Sequence, residues 1–268
     1  MKGGQRARGF TITETLIVLA VTGGLFLVVA ASLSGRQAKT QFEQGINEVR
    51  SQIQQTINEV GAGFYPNTNN FSCTAGGSGP VFAAAGSTDQ GENVGCTFLG
   101  KAIQFKVGSS DPEIMKIYTI AGLQRTTAGD EPTDYDQAEA RVVAPSTSSP
   151  STPDASEVKP LLYGLTTTGT NTTGTIAFVN KLSASADSII SGEQQVNVIP
   201  VTNTPYGLTQ QVGAQRINSN LGSSTVNPAG GVSLCFKSGG TNQSGLITIG
   251  SNGRQLSVTL SIRNGTSC

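Results

Sequence analysis

The 268-residue chain contains no histidine. A histidine-assisted nucleophile and a histidine metal site are therefore excluded. Charge is scarce as well, since Asp, Glu, Lys and Arg make up 13% of residues, and its gaps are informative. From Thr15 to Gly35 there is no charged residue, and Leu16 to Ala31 is almost wholly apolar. That is long enough for a helix crossing a hydrocarbon core of about 30 Å. No proline interrupts the chain between Phe10 and Pro66, so one helix can run through and beyond that span. After Glu193 there is no acid, only Arg216, Lys237, Arg254 and Arg263, which leaves the C-terminal part locally positive. Because 17 basic residues balance 17 acidic ones overall, a uniformly basic nucleic-acid binder is not expected.

The apolar run is the only membrane-length segment in the sequence. In front of it lie Lys2, Arg6 and Arg8 with no acid, whereas Arg36, Lys39 and Glu43 come after it. The basic short end is expected to stay in the cytoplasm and everything past about residue 35 to lie outside. Glu14 stands at the head of the run, where an acid deep in a membrane helix is disfavoured by roughly 2.5 to 3.5 kcal/mol. Three simple readings explain part of this. The segment can be a plain signal anchor with Glu14 at the interface. It can be a removable secretory signal, with small residues Ala30, Ala31 and Ser32 as the cleavage site. Or Thr11-Ile12-Thr13-Glu14 can be a capping box that satisfies amides at the helix start.

None of these explains why Gly9 separates a basic leader from Phe10, with the carboxylate of Glu14 at the fifth position counted from Phe10. The order Arg8-Gly9-Phe10-Thr11-Ile12-Thr13-Glu14-Thr15-Leu16-Ile17-Val18 resembles the class III signal of type IV pilins and pseudopilins. That resemblance covers about the first 60 residues. It implies that a prepilin peptidase cuts between Gly9 and Phe10, that the new amino group of Phe10 is methylated, and that Glu14 pairs with the amino terminus of a neighbouring subunit in a filament. It also implies partners in the pilus assembly machinery and in membrane lipid. Many pilins carry a proline in this half of the helix, and this chain does not.

Beyond the span, Phe42, Ile46, Val49, Ile53, Ile57 and Val60 recur at the spacing of one helical face, with charged and polar residues between them. Gly61-Ala62-Gly63 and Pro66 supply a stop. Gly23-Gly24 inside the span either loosens the helix or lets neighbouring helices approach closely. The remaining residues, rich in Gly, Ser, Thr and Asn, predict mainly β structure: strands over Thr97–Val107, Ile114–Ala121, Thr175–Asn180, Gln195–Val201 and Val232–Lys237. Asn252-Gly253 between two alternating runs predicts a hairpin in which Ser251 pairs with Arg254, so that Ile249 faces Leu256 and Ile247 faces Val258. Pro145 to Pro160 reads as an exposed loop or linker, a candidate for O-glycosylation. The expected fold is α+β: a leader over 1–9, a long N-terminal helix over 10–63 that is membrane-spanning then amphipathic, and a β-rich head over 64–268 on which its second half packs.

Cys73, Cys96, Cys235 and Cys268 all lie past the span, and two disulfides in an oxidising compartment are expected. Three connectivities are open, of which the locally closed pairs, Cys73 with Cys96 and Cys235 with Cys268, are favoured. The second pair loosely resembles the disulfide-bounded C-terminal loop of many pilins. Signals of chemistry are poor. Ser156 and Lys159 have Ser-x-x-Lys spacing within the expected linker, a chance match. Asp130, Glu131, Asp134, Asp136 and Glu139 could supply oxygen ligands to calcium, but they lack the spacing and glycine of a calcium loop, so a solvated acidic loop is favoured and no cofactor is expected. Some minor pilins take up DNA through a Gly-Arg-x-Arg run. Gly253-Arg254 keeps half of it, so Arg254 and Arg263 are the candidate DNA contacts, with a solvated sheet or an acidic neighbour preferred as their role.

Together these observations point to a non-enzymatic filament subunit. Its expected course is from single-pass membrane protein with the head outside to a cell-surface filament serving adhesion, motility, secretion or DNA uptake. The rival is a signal-anchored or secreted β-rich binding protein that never polymerises.

Overall fold

The computed structural model describes residues 11–63, 71–77, 79–84, 95–105, 114–126, 128–167, 174–182, 196–201, 208–222, 226–229, 231–251, 256–265 and 268. It is a mixed α+β structure, with an apolar N-terminal helix and a strand-rich head. Helix α1, Ile12–Gly61, runs 50 residues without a break, about 75 Å at 1.5 Å per residue. Gly23 and Gly24 do not interrupt it. It stops where the sequence places the stop: Ala62 caps it by donating to Asn58 and Val60, and Gly63 takes the left-handed φ of +64° that a side chain would resist.

The head contains twelve strands among the described residues. These are β1 (Phe71–Gly76), β2 (Gly79–Ala84), β3 (Cys96–Phe105), β4 (Ile114–Leu123), β5 (Arg141–Val142), β6 (Ser156–Pro160), β7 (Leu165–Thr167), β8 (Thr175–Asn180), β9 (Val196–Pro200), β10 (Val232–Ser238), β11 (Gln243–Ser251) and β12 (Leu256–Asn264). β1 and β2 form a hairpin. A six-stranded antiparallel sheet has the order β5-β4-β3-β8-β9, with β6 on the same edge of β4 as β5, and a four-stranded sheet has the order β12-β11-β10-β7. A short helix α2, Gln210–Asn220, lies on the head.

The six-stranded sheet is buried on both sides. Along β3, β4 and β8 one set of alternating side chains, including Ile103, Phe105, Ile117, Ile176 and Phe178, packs with the α1 stripe from Phe42 to Val60 and with Leu234, Phe236, Ile247 and Ile249 of the four-stranded sheet. The other set, including Ala102, Tyr118, Ile120, Ala177 and Val179, packs under Ala214 and Ile217 of α2 and under the segment from Tyr135 to Ala144. This explains why these strands read as near-continuous apolar runs rather than as clean alternation.

Both expected disulfides are present: Cys73–Cys96 ties β1 to the start of β3, and Cys235–Cys268 ties the last residue to β10. Two expectations are corrected. The C-terminal hairpin pairs Ser251 with Leu256, so Ile249 faces Val258 and Ile247 faces Leu260, two residues from the expected register. A slip of two keeps the same face inward, so local alternation could not tell the registers apart. Pro145 to Pro160 is not a free linker: Ala155 and Ser146 are buried, and Ser156–Pro160 is strand β6 paired with β4. Pro160 is tolerated because it ends an edge strand. Within β6, Ser156 and Lys159 fall on opposite faces; Ser156 donates to Asp154 and Lys159 pairs with Glu157 at 3.4 Å. The Ser-x-x-Lys spacing is therefore not a dyad.

Candidate membrane and assembly surface

The two halves of α1 differ completely in environment. In the second half Phe42, Ile46 and Val60 are wholly buried. From Ile12 to Val29 none of the window is buried, and Leu16, Phe26, Leu27 and Val28 are 60%, 75%, 71% and 69% exposed. By length and composition this stretch can cross a membrane. Two of its threonines are satisfied within the helix. Thr15 donates to the Ile12 carbonyl at 2.8 Å and Thr22 to the Val18 carbonyl at 2.8 Å, which lowers the cost of placing them in hydrocarbon. Thr11 is the N-cap, its hydroxyl accepting from the Glu14 amide at 3.3 Å. The capping role thus belongs to the Thr11 side chain and the Glu14 backbone. Among the described residues no cation pairs with the exposed Glu14 carboxylate.

Three devices clamp the buried half of α1 to the head. Gly245 of β11 passes so close that an added Cβ would lie 1.9 Å from Ile46 Cδ1, and one on Gly45 would lie 2.7 Å from Leu165 Cδ1. Arg50 Nε donates to the Val258 carbonyl of β12 at 3.2 Å. Lys101 of β3, its side chain 4% exposed, reaches Glu59 at 2.5 Å. The apolar stripe is legible in the sequence, whereas sequence reasoning missed this buried pair. Its one signal is a lysine set in the run Phe98-Leu99-Gly100-Lys101-Ala102-Ile103. A second such lysine, Lys116 on β4, meets Asp154 at 3.1 Å and stands 5.5 Å from the Tyr118 ring centre. Burial pulls its pKa down, and Asp154 partly opposes the shift.

Compared with known proteins, the chain matches no family model, no curated protein and no solved structure. The residues marked for processing, Gly9 and Phe10, lie outside the described residues, as does Arg254. Arg263 is exposed on β12, two strands from Lys237 in one cross-strand row. The acidic residues are not brought to a common centre: among the described residues no three metal-ligating side chains converge. Asp134 caps its own turn by accepting from the Gln137 amide at 2.8 Å, and Glu139 pairs with Arg141 at 3.2 Å. Between Asp134 and Asp136, Tyr135 points inward, donating to the Asn180 carbonyl and accepting from Asn197. A groove of about 630 Å3 between β2, the 146–152 segment and α2 is lined by serine hydroxyls, Gln215, Asn218 and Arg141. It offers hydrogen bonds but no acid and base poised together.

Proposed function

We propose that this chain is a type IV pilin-like or pseudopilin subunit, a structural protein whose activity is assembly. The observation that carries this is the split character of α1: one continuous helix, bare and predominantly apolar from Ile12 to Val29, is built into the head from Phe42 onward. In the proposed course the bare half first crosses the bilayer with the head outside. After cleavage between Gly9 and Phe10 and methylation of Phe10, it packs against the same half of other copies. Glu14 then meets the Phe10 amino group of a neighbour, and its membrane cost is offset only in the polymer. The class III signal order in Arg8 to Val18 supports this over a plain anchor, and the intact N-cap supplied by Thr11 leaves the Glu14 carboxylate available for such a partner.

The deciding measurement is the mass of the mature protein from cells, together with its presence in the sheared surface fraction. A mass beginning at methylated Phe10, in sheared filaments, is the expected result. An intact Met1 or a start near Leu33, with no sheared material, would establish the anchored or secreted binding protein instead.

A further inference from the structure

We infer that the polar groove between β2, the 146–152 segment and α2 is a binding site for a short neutral oligosaccharide. Such binding requires neither filament formation nor a bilayer span.

Three walls meet there, and the fold holds each of them in place. α2 buries Gly213, Ala214 and Ile217 in the head and lays Gln215, Asn218 and Ser219 along the groove. The Asn218 carbonyl oxygen accepts from the Val142 amide at 2.8 Å, which fixes that side chain. The serine-rich wall has the composition of a loop but is folded on itself. Ser146 is buried, its hydroxyl accepts from the Ser149 amide at 3.1 Å, and the Thr152 amide donates to the Ser149 carbonyl at 3.3 Å. The third wall is the β1–β2 hairpin, tied to β3 by the Cys73–Cys96 disulfide. Groups held this way lose little freedom when a ligand arrives.

The walls present hydroxyls and amides. Among the described residues the side chains of Ser149, Ser151, Thr152 and Gln215 and the NH2 group of Asn218 bond to no protein group. A serine or threonine hydroxyl both donates and accepts, as every sugar hydroxyl does, and a carboxamide offers both functions side by side. Val81, which is 54% exposed, and the exposed Pro150 add apolar patches for the C–H face of a pyranose ring. The volume of about 630 Å3 falls within the roughly 300 to 1,000 Å3 of ligand sites and equals some twenty waters at about 30 Å3 each, so the site suits an occupant far larger than an ion. Among the described residues its lining carries one charge, Arg141, which Glu139 already engages at 3.2 Å. That pair is wedged against β2, since a Cβ on Gly79 would lie 2.9 Å from the guanidinium carbon. A neutral ligand leaves the pair intact, whereas an anion must compete with Glu139. The rival occupant is an extended peptide added to β2, which among the described residues pairs only with β1. It is disfavoured because Pro80, on the groove, has no N–H to give to a ladder.

The test uses the full chain in phosphatidylcholine nanodiscs, which avoids sugar-headed detergents. Maltotriose, cellotriose and chitotriose are titrated in turn, with trigalacturonate and tetra-alanine as the charged and peptide comparisons, and binding is read by saturation-transfer NMR. Expected is saturable binding of at least one neutral trisaccharide, weakened about tenfold in the Gln215→Ala, Ser151→Ala double variant. Ser151→Trp, which fills the groove from its exposed wall, should abolish it. Neither side chain bonds to the protein, so the denaturation midpoints of both variants should match the parent. Binding that survives both variants lies elsewhere, and no saturable binding of any neutral trisaccharide makes the groove a solvated surface only; either result overturns the assignment. Tighter binding of trigalacturonate or of tetra-alanine would overturn it too, in favour of an anion at Arg141 or a strand at β2.

Discussion

Glu14 is the residue on which the assembly reading turns, and the helix start separates its two roles. The observed cap uses the Thr11 hydroxyl and the backbone amide of residue 14, so Glu14→Leu leaves it in place. The free subunit should insert in membranes at least as well as the parent, with helix fraying worth less than about 1 kcal/mol. In the proposed filament the neighbouring Phe10 amino group would lose its counter-charge in a low-dielectric core, and incorporation should fail. Normal cleavage with normal recovery of the variant in sheared filaments would reduce Glu14 to an interface marker. A second residue-scale prediction concerns the Lys101–Glu59 pair, whose partners differ in access to water: the side chains are 4% and 23% exposed. Glu59→Leu strands a buried ammonium and should cost about 3 to 5 kcal/mol, whereas Lys101→Met leaves a carboxylate that water still reaches and should cost about 1 kcal/mol. Denaturant midpoints of the two variants would reveal the asymmetry, and equal losses would show that the pair is not desolvated as described.

At the scale of elements, the clamp between α1 and β11 depends on the missing side chain at Gly245. Gly245→Val would drive methyl groups onto Ile46 and Phe42 and should cost about 1 to 3 kcal/mol, lowering the denaturation midpoint. Limited proteolysis should then cut first in the Phe42–Val60 half of α1; an unshifted midpoint and an unchanged cleavage map would show that the helix does not depend on this close approach. Both halves of α1 were legible as elements, because 3.6-residue periodicity and an absence of charge are local properties. The C-terminal hairpin was legible as a hairpin but not in register. Its two candidate pairings bury the same face, and the observed one is held by remote contacts such as Arg50 to the Val258 carbonyl. β6 was hidden for a related reason: Ser156 to Pro160 has the composition of a loop and becomes a strand only because the edge of β4 is there to pair with it.

For the whole molecule, burial of titratable side chains sets the alkaline limit of stability. Desolvation raises the phenol pKa of Tyr118 and of Tyr135, in the latter against an opposing hydrogen bond from Asn197. Above pH 10 the unfolded chain sheds these protons while the native chain keeps them, so this contribution, complete below pH 10, is lost as pH rises toward the raised native values. Lys116 acts in the opposite sense: its lowered native pKa removes a penalty as pH rises toward 10.5, where that gain ends. The denaturation midpoint should therefore fall between about pH 10.5 and 12, with two of the five tyrosines ionising only on unfolding, as tyrosinate absorbance would report; five tyrosines ionising together near pH 10 in the folded protein would contradict it. What the sequence determined by itself is what depends on neighbours along the chain: the apolar span, the amphipathic continuation, the glycine stop and most of the central strands. Short loop closure favours the locally closed cysteine pairs, and the structure selects them among the three connectivities. Only the tertiary structure decided the hairpin register, the strand at 156–160 and the buried Lys101–Glu59 clamp, because each is fixed by partners elsewhere in the fold that the local sequence does not disclose.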